Sequence, residues 1–138
     1  MSTQFFLNLP VADLDRAKAF YVALGHTINP KFTHADAACV VISDTLFVML
    51  LTHPFFQGFT ERAICNTETH IEALFALSCA SREAVDELLE RALGVGGREV
   101  GEPRDLGFMF QRTFADPDGH TFEAFTMNEA EFPGADAG

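Results

Sequence analysis

With 138 residues the chain is long enough for one domain, or for two small halves that share a core. Its net charge of −11 argues against a general nucleic-acid or anionic-membrane surface, since both need basic patches. Acidic residues dispersed over a solvated surface account for the charge, and 48% hydrophobic residues supply a packed interior. Fifteen Phe with no Trp and one Tyr point to a Phe-rich core or pocket.

No apolar run approaches the roughly 20 residues of a membrane span, and no charged-then-apolar signal segment opens the chain. Cys39, Cys65 and Cys79 are odd in number and form no CxxC pair. A cytoplasmic protein with reduced thiols is expected. Cys39 and Cys79 sit in apolar strand-like runs and read as small buried hydrophobes.

Gln4 to Val11 reads as a strand. Asp13 is placed to cap a helix carrying Leu14, Ala17, Phe20, Tyr21 and Leu24 on one stripe, and Gly25 stops it. Three extended runs follow, His26 to Thr33, Ala37 to Ser43 and Leu46 to Thr52, the last two joined through a turn at Ser43-Asp44-Thr45. His53 to Thr69 is a connector, broken by Pro54 and Gly58, whose Phe55, Phe56 and Phe59 suggest a helical turn packed over a cavity mouth.

The same order then repeats. Ile71 to Cys79 reads as a strand, and Ser81 caps a helix with Val85, Leu88, Leu89 and Ala92 on one stripe, stopped at Gly94. Strands are expected over Arg98 to Pro103, Phe108 to Ala115 and His120 to Met127. The tail from Asn128 to Gly138 is expected to fray. The period is about 70 residues, present twice, and either half alone is too small for a comfortable core. Two such sheets edge to edge would make a shared concave surface.

Before the last strand, Asp116-Pro117-Asp118-Gly119 spells a tight turn. Alternation then puts Thr121, Glu123 and Phe125 on one strand face and His120, Phe122 and Ala124 on the other. Glu123 is thus an acid among apolar neighbours, a costly place without a partner or a task. By the same parity Phe6 pairs with Asn8, Phe47 with Met49, and Met109 with Gln111, while Arg112 points away. If these faces look inward, Phe6, Asn8, Phe47, Met49, Met109, Gln111, Thr121, Glu123 and Phe125 line a Phe- and Met-rich cavity with one acid. Packing alone also explains such a stripe, with Glu123 bonded to Asn8 or Gln111. His26, His34, His53, His70 and His120 show no metal-ligand spacing, and most are expected to face solvent.

Leu9-Pro10-Val11-x-Asp13-Leu14 before the first helix, Phe20-Tyr21-x-x-Leu24-Gly25 ending it, and Asp116-Pro117-Asp118-Gly119 before a Glu-bearing strand resemble the vicinal oxygen chelate superfamily. That group includes glyoxalase I, bleomycin and fosfomycin resistance proteins and extradiol dioxygenases. The resemblance covers residues 4–127 and looks closest to proteins called predicted lactoylglutathione lyases. It implies an α+β fold of two βαβββ modules paired into a curved mixed sheet. The expected organisation is one domain over 1–127, with modules at 4–52 and 70–127, a connector at 53–69 and a flexible tail at 128–138.

Enzymes of the superfamily hold a divalent metal with a His or Gln on the first strand of one module, a His on the first strand of the other, and a Glu on a last strand. Carried over, the Glu is Glu123. The other two positions fall on Phe6 and on Leu74 or an equally apolar neighbour, so no metal or other cofactor is expected, and a divalent metal only if other residues rebuild the family site. The resemblance therefore implies a metal-free module that binds a small organic molecule, as the bleomycin resistance proteins do, and a homodimer, with no nucleic-acid or membrane partner. The alternative is a lactoylglutathione lyase-like or dioxygenase-like enzyme that uses Glu123 as base or metal ligand.

Overall fold

The computed structural model describes residues 3–131. The first module runs β1 (Phe5–Val11), α1 (Leu14–Ala23), β2 (Thr27–His34), β3 (Ala37–Val41) and β4 (Leu46–Thr52). A one-turn helix, α2 (His53–Gln57), opens the connector. The second module runs β5 (Leu74–Ser78), α3 (Arg82–Gly94), β6 (Arg98–Glu99), β7 (Arg104–Asp105), β8 (Met109–Ala115) and β9 (Thr121–Met127).

Local chemistry fixes the helix ends. The Asp13 carboxylate accepts from the Arg16 N–H, and the Ser81 hydroxyl accepts from the Ala84 N–H, each satisfying an orphan donor of a first turn. Gly25, at φ +105°, turns the chain out of α1 in a conformation that other residues adopt at a cost. The second helix passes its expected stop, because Gly94 is its last residue and Val95 its cap.

Strands order as β1-β4-β3-β2 in one sheet and β5-β9-β8-β6 in the other, with β7 also paired to β8. Both sheets are mixed: β1 runs parallel to β4, and β5 parallel to β9, while the remaining pairs are antiparallel. Two strands are shorter than expected. The run from Arg98 to Pro103 breaks up because Gly101 has φ +70° and Pro103 has no N–H to give to β8. The first strand of the second module starts only at Leu74, three residues late.

Among the described residues no strand of one module pairs with a strand of the other. The modules are joined through their helix-bearing faces. Leu9, Val11, Ala38, Val40, Val48 and Leu50 of the first sheet share one buried cluster with Phe114, Phe122 and Ala124 of the second. Phe20 and Tyr21 of α1 and Val85, Leu89 and Ala92 of α3 fill the space between. The ring of Phe20 lies 6.2 Å from Phe114, and that of Tyr21 lies 6.0 Å from Phe122, so α1 packs directly on the second sheet. Each buried Val, Leu or Phe of this cluster contributes roughly 1.5–3 kcal/mol. The layers are sheet, helices, sheet, and the two remaining sheet faces point outward.

After β9 the Asn128 N–H donates to the Phe108 carbonyl and Glu129–Glu131 form a 3-10 turn. The rest of the tail expected from Asn128 onward lies outside the described residues. No helix among the described residues is long and apolar enough to cross a membrane. Cys39, Cys65 and Cys79 are free thiols, Cys39 buried as expected and Cys79 half-buried.

Candidate functional site

The outer face of the second sheet carries the acid. β8 and β9 are in antiparallel register with Thr113 opposite Glu123 and Gln111 opposite Phe125. Glu123 is half-buried, and its Oε2 accepts a hydrogen bond from the Gln111 amide at 3.1 Å. On its other side Glu123 faces Ala76 of β5, too small to cover it. Thr121 and Phe125 flank it on the same face, Met109 lies beyond Gln111, and Leu74 and Ser78 complete an exposed β5 edge. Among the described residues Glu123 forms no ion pair.

The outer face of the first sheet carries the aromatics. Phe6 and Phe47 are register partners whose rings stack at 4.7 Å with an interplanar angle of 13°. Asn8 pairs in register with Met49 and keeps an exposed side chain. Phe6 itself is 44% exposed, well above what a core aromatic retains. Beside it lies a cavity of about 370 Å³ formed by Phe6, Leu7, Asn8, Leu51, Phe56 and Phe59 with Thr60. A second cavity of about 410 Å³ adjoins it between β1 and β5 under the connector, with Phe75, Cys65 and Glu72 in its wall.

The structure therefore brings the expected lining together in two groups. Phe6, Asn8, Phe47 and Met49 share one outer face; Met109, Gln111, Thr121, Glu123 and Phe125 share the other. Sequence parity assigned each group to a common face, but the expected edge-to-edge sheets lining one shared concave surface are not what this chain forms by itself, since no strand of one sheet pairs with the other among the described residues. It is the packing of α1 on the second sheet that separates the groups. Leu51 and Thr60 carried no sequence signal. Phe56 and Phe59 did, as aromatics in an otherwise polar connector.

The donor set does not fit a divalent metal of the superfamily type. Such sites use about three protein ligands and an open position. At the matching positions Phe6 and Leu74 offer hydrocarbon, and the outer-face neighbours of Glu123 are an amide and a hydroxyl. Among the described residues no group of three or more His, Cys, Asp or Glu is arranged to hold a metal ion.

A polar cluster at the junction of the modules escaped the sequence reading. His120 is 1% exposed, so the expectation that it faces solvent fails for this ring. Its face of β9 looks into the sandwich, and its backbone N–H donates to Asp116 Oδ1 at 2.9 Å. Tyr21 Oη donates to Asp116 Oδ2 at 2.6 Å. Asp118 Oδ1 accepts from the Ala12 N–H at 2.9 Å and from Arg16 Nη2 at 3.1 Å, tying the turn to the start of α1. Burial raises the Tyr21 hydroxyl well above its ordinary pKa, and the Asp116 charge adds to this. Burial likewise raises Asp116, against the His120 charge and the Tyr21 hydrogen bond.

A pair of β-α-β-β-β modules joined through their helix-bearing faces, with open outer sheet faces, is the glyoxalase/bleomycin resistance class of fold, and comparison with known proteins agrees. A family model described as "Bleomycin resistance protein-like N-terminal" matches residues 3–43. Hypothetical protein SA1046 from Staphylococcus aureus is 30% identical, at a TM-score of 0.76 over 91% of this chain and 95% of its own. A glyoxalase/bleomycin resistance protein/dioxygenase family enzyme from Burkholderia phytofirmans is 17% identical at a TM-score of 0.75, covering 91% and 99%. The bleomycin resistance determinant encoded on the transposon Tn5 is 22% identical at a TM-score of 0.64, covering 91% and 98%. No curated protein matches the sequence. The chain belongs to the vicinal oxygen chelate superfamily, the glyoxalase/bleomycin resistance/dioxygenase proteins.

Proposed function

We propose that the protein is a metal-free binder of a small, planar organic molecule, with Glu123 as its hydrogen-bond or charge partner. The observation that carries this reading is the exposed Phe6–Phe47 stack beside a cavity, on a family frame whose metal positions hold Phe and Leu. A planar ligand gains most by lying on such a ring face. A half-buried carboxylate whose only donor among the described residues is the Gln111 amide favours a ligand bearing an N–H or a positive charge.

The two groups of lining residues would meet in a homodimer. A two-fold related copy would set the second-sheet face of one chain against the first-sheet face of the other. Phe6 and Leu74 supply exposed apolar area for that contact.

A thermal-shift panel of planar aromatic cations, acridine orange among them, tests the function. Stabilisation of the wild type that drops in Glu123→Gln and in Phe6→Ala supports it. Equal shifts in wild type and Glu123→Gln would leave Glu123 a structural residue and defeat the proposal.

A further inference from the structure

We propose that His120 and Glu72 form a one-proton clasp that makes the joint between the two modules sensitive to pH. Both ring nitrogens of His120 face oxygen acceptors. Nε2 lies 2.8 Å from the Pro10 carbonyl of β1, and Nδ1 hydrogen-bonds Glu72 Oε1 at the end of the connector. A neutral imidazole has a single N–H. With Glu72 ionised, one of the two contacts would then set a nitrogen lone pair against an oxygen. The His120 side chain is 2% exposed, so water cannot relieve the mismatch at the ring itself, while the Glu72 side chain is 24% exposed. The joint is satisfied only when the ring holds one more proton, as imidazolium against the Glu72 carboxylate.

The surroundings favour the extra charge. Asp116, on the turn, accepts the His120 N–H, and α1 offers only the neutral Tyr21 hydroxyl to it. Asp118 is matched by Arg16 of α1, with its own side chain 6% exposed and Oδ2 unpartnered. From the connector Cys65 brings a neutral thiol near Glu72, whose charge helps raise the thiol pKa after burial. Of the three carboxylates here, only Asp118 meets a guanidinium, and the ring supplies the second cation. Burial opposes charge on His120, but Asp116, the Pro10 carbonyl and Glu72 outweigh it and raise the pKa above the ordinary value.

The direction of the effect follows from the raised value. The clasp contributes fully below the unfolded histidine pKa of about 6.5 and is lost as pH rises through the folded value. In that window the unfolding constant rises by up to about tenfold per pH unit. What loosens is specific. Pro10 anchors β1, Glu72 walls the cavity between β1 and β5, and His120 opens β9.

Nitrogen-detected NMR of the full chain tests the clasp. In the wild type the His120 ring should carry both N–H protons at neutral pH and titrate above about 6.5. Glu72→Gln supplies an amide that donates to Nδ1 of a neutral ring, so it satisfies the joint without the extra proton. That variant should fold, titrate at a lower pH, and lose the alkaline decline in its urea midpoint. A wild-type His120 that is neutral at pH 6, or an alkaline decline unchanged in Glu72→Gln, would overturn the proposal.

Discussion

Tyr21 and Asp116, 95 residues apart in the chain, are joined by a 2.6 Å hydrogen bond in the buried seam between the modules. The carboxylate is otherwise held by the Asp118 and His120 N–H groups, both on Oδ1, so Tyr21 is the donor to Oδ2. Tyr21→Phe leaves a buried acceptor short of a partner and should cost about 1–3 kcal/mol. Asp116→Ala strands three donors and should cost more. Urea unfolding checks both, with an unchanged m-value keeping the comparison two-state. A loss for Tyr21→Phe below about 0.5 kcal/mol would make the bond incidental.

Gly119 holds the tight turn at φ +84°, and a Cβ there would strike the Thr67 hydroxyl and come within 2.7 Å of its Cβ. Thr67 is fixed in place, since its Oγ1 donates to the Asp118 carbonyl at 2.5 Å. Gly119→Ala therefore meets both backbone strain and a clash, for a loss of about 2 kcal/mol or more. Adding Thr67→Gly, which removes both the hydroxyl and the Cβ, should relieve the clash and leave the strain. Four urea curves complete the cycle; strictly additive losses would mean that the two residues do not press on each other.

Arg112 shows how parity on one strand divides structure from site. Its neighbour Gln111 points outward to Glu123, while the Arg112 guanidinium lies inward, with Nε and Nη2 on Glu99 at 2.9 Å and Nη1 on Asp86 of α3 at 2.8 Å. Hydrogen bonding to Arg112 holds the Glu99 carboxyl below its ordinary pKa, and burial only partly offsets this. A depressed carboxylate stabilises above its unfolded value and loses that contribution as pH falls through the folded one. Arg112→Lys loses the forked geometry and should destabilise by roughly 1–2 kcal/mol. Arg112→Met should also show a shallower acid decline in Tm than the wild type. An identical acid limb would remove Glu99 from the account.

Much of the fold was legible because its signals are local. The caps at Asp13 and Ser81, the glycine after α1, the alternation in β4 and β9 and the repeat of element order all act within a few residues. Facing of the strands was legible too: Phe6 with Asn8, Phe47 with Met49, and Gln111 with Glu123 each share a side. What stayed hidden depends on contacts made far along the chain. Nothing near His120 announces that Pro10, 110 residues away, and Glu72, 48 residues away, will close over its ring. Nor does strand parity tell which faces of two sheets meet; the apolar bulk of Phe20 and Tyr21 against Phe114 and Phe122 decides that.

If ligand is held between copies, a mixed dimer should report it. Glu123→Gln and Phe6→Ala each damage one wall, and each should weaken binding of acridine orange by about tenfold, or 1.4 kcal/mol. After the two variants are mixed and allowed to exchange subunits, half of the cavities in each mixed dimer combine both intact walls. Binding at near wild-type affinity should return in those. No recovery despite demonstrated exchange would confine the site to one chain.

The functional reading turns on Glu123 serving an organic molecule and not an ion, and metal content measures this most directly. Protein purified from metal-supplemented medium and dialysed without chelator should carry far less than one equivalent of Ni²⁺, Zn²⁺ or Fe²⁺, with no change in Glu123→Ala. A stoichiometric divalent metal that is lost in Glu123→Ala would contradict the reading and place the protein among the metal-dependent members of its superfamily.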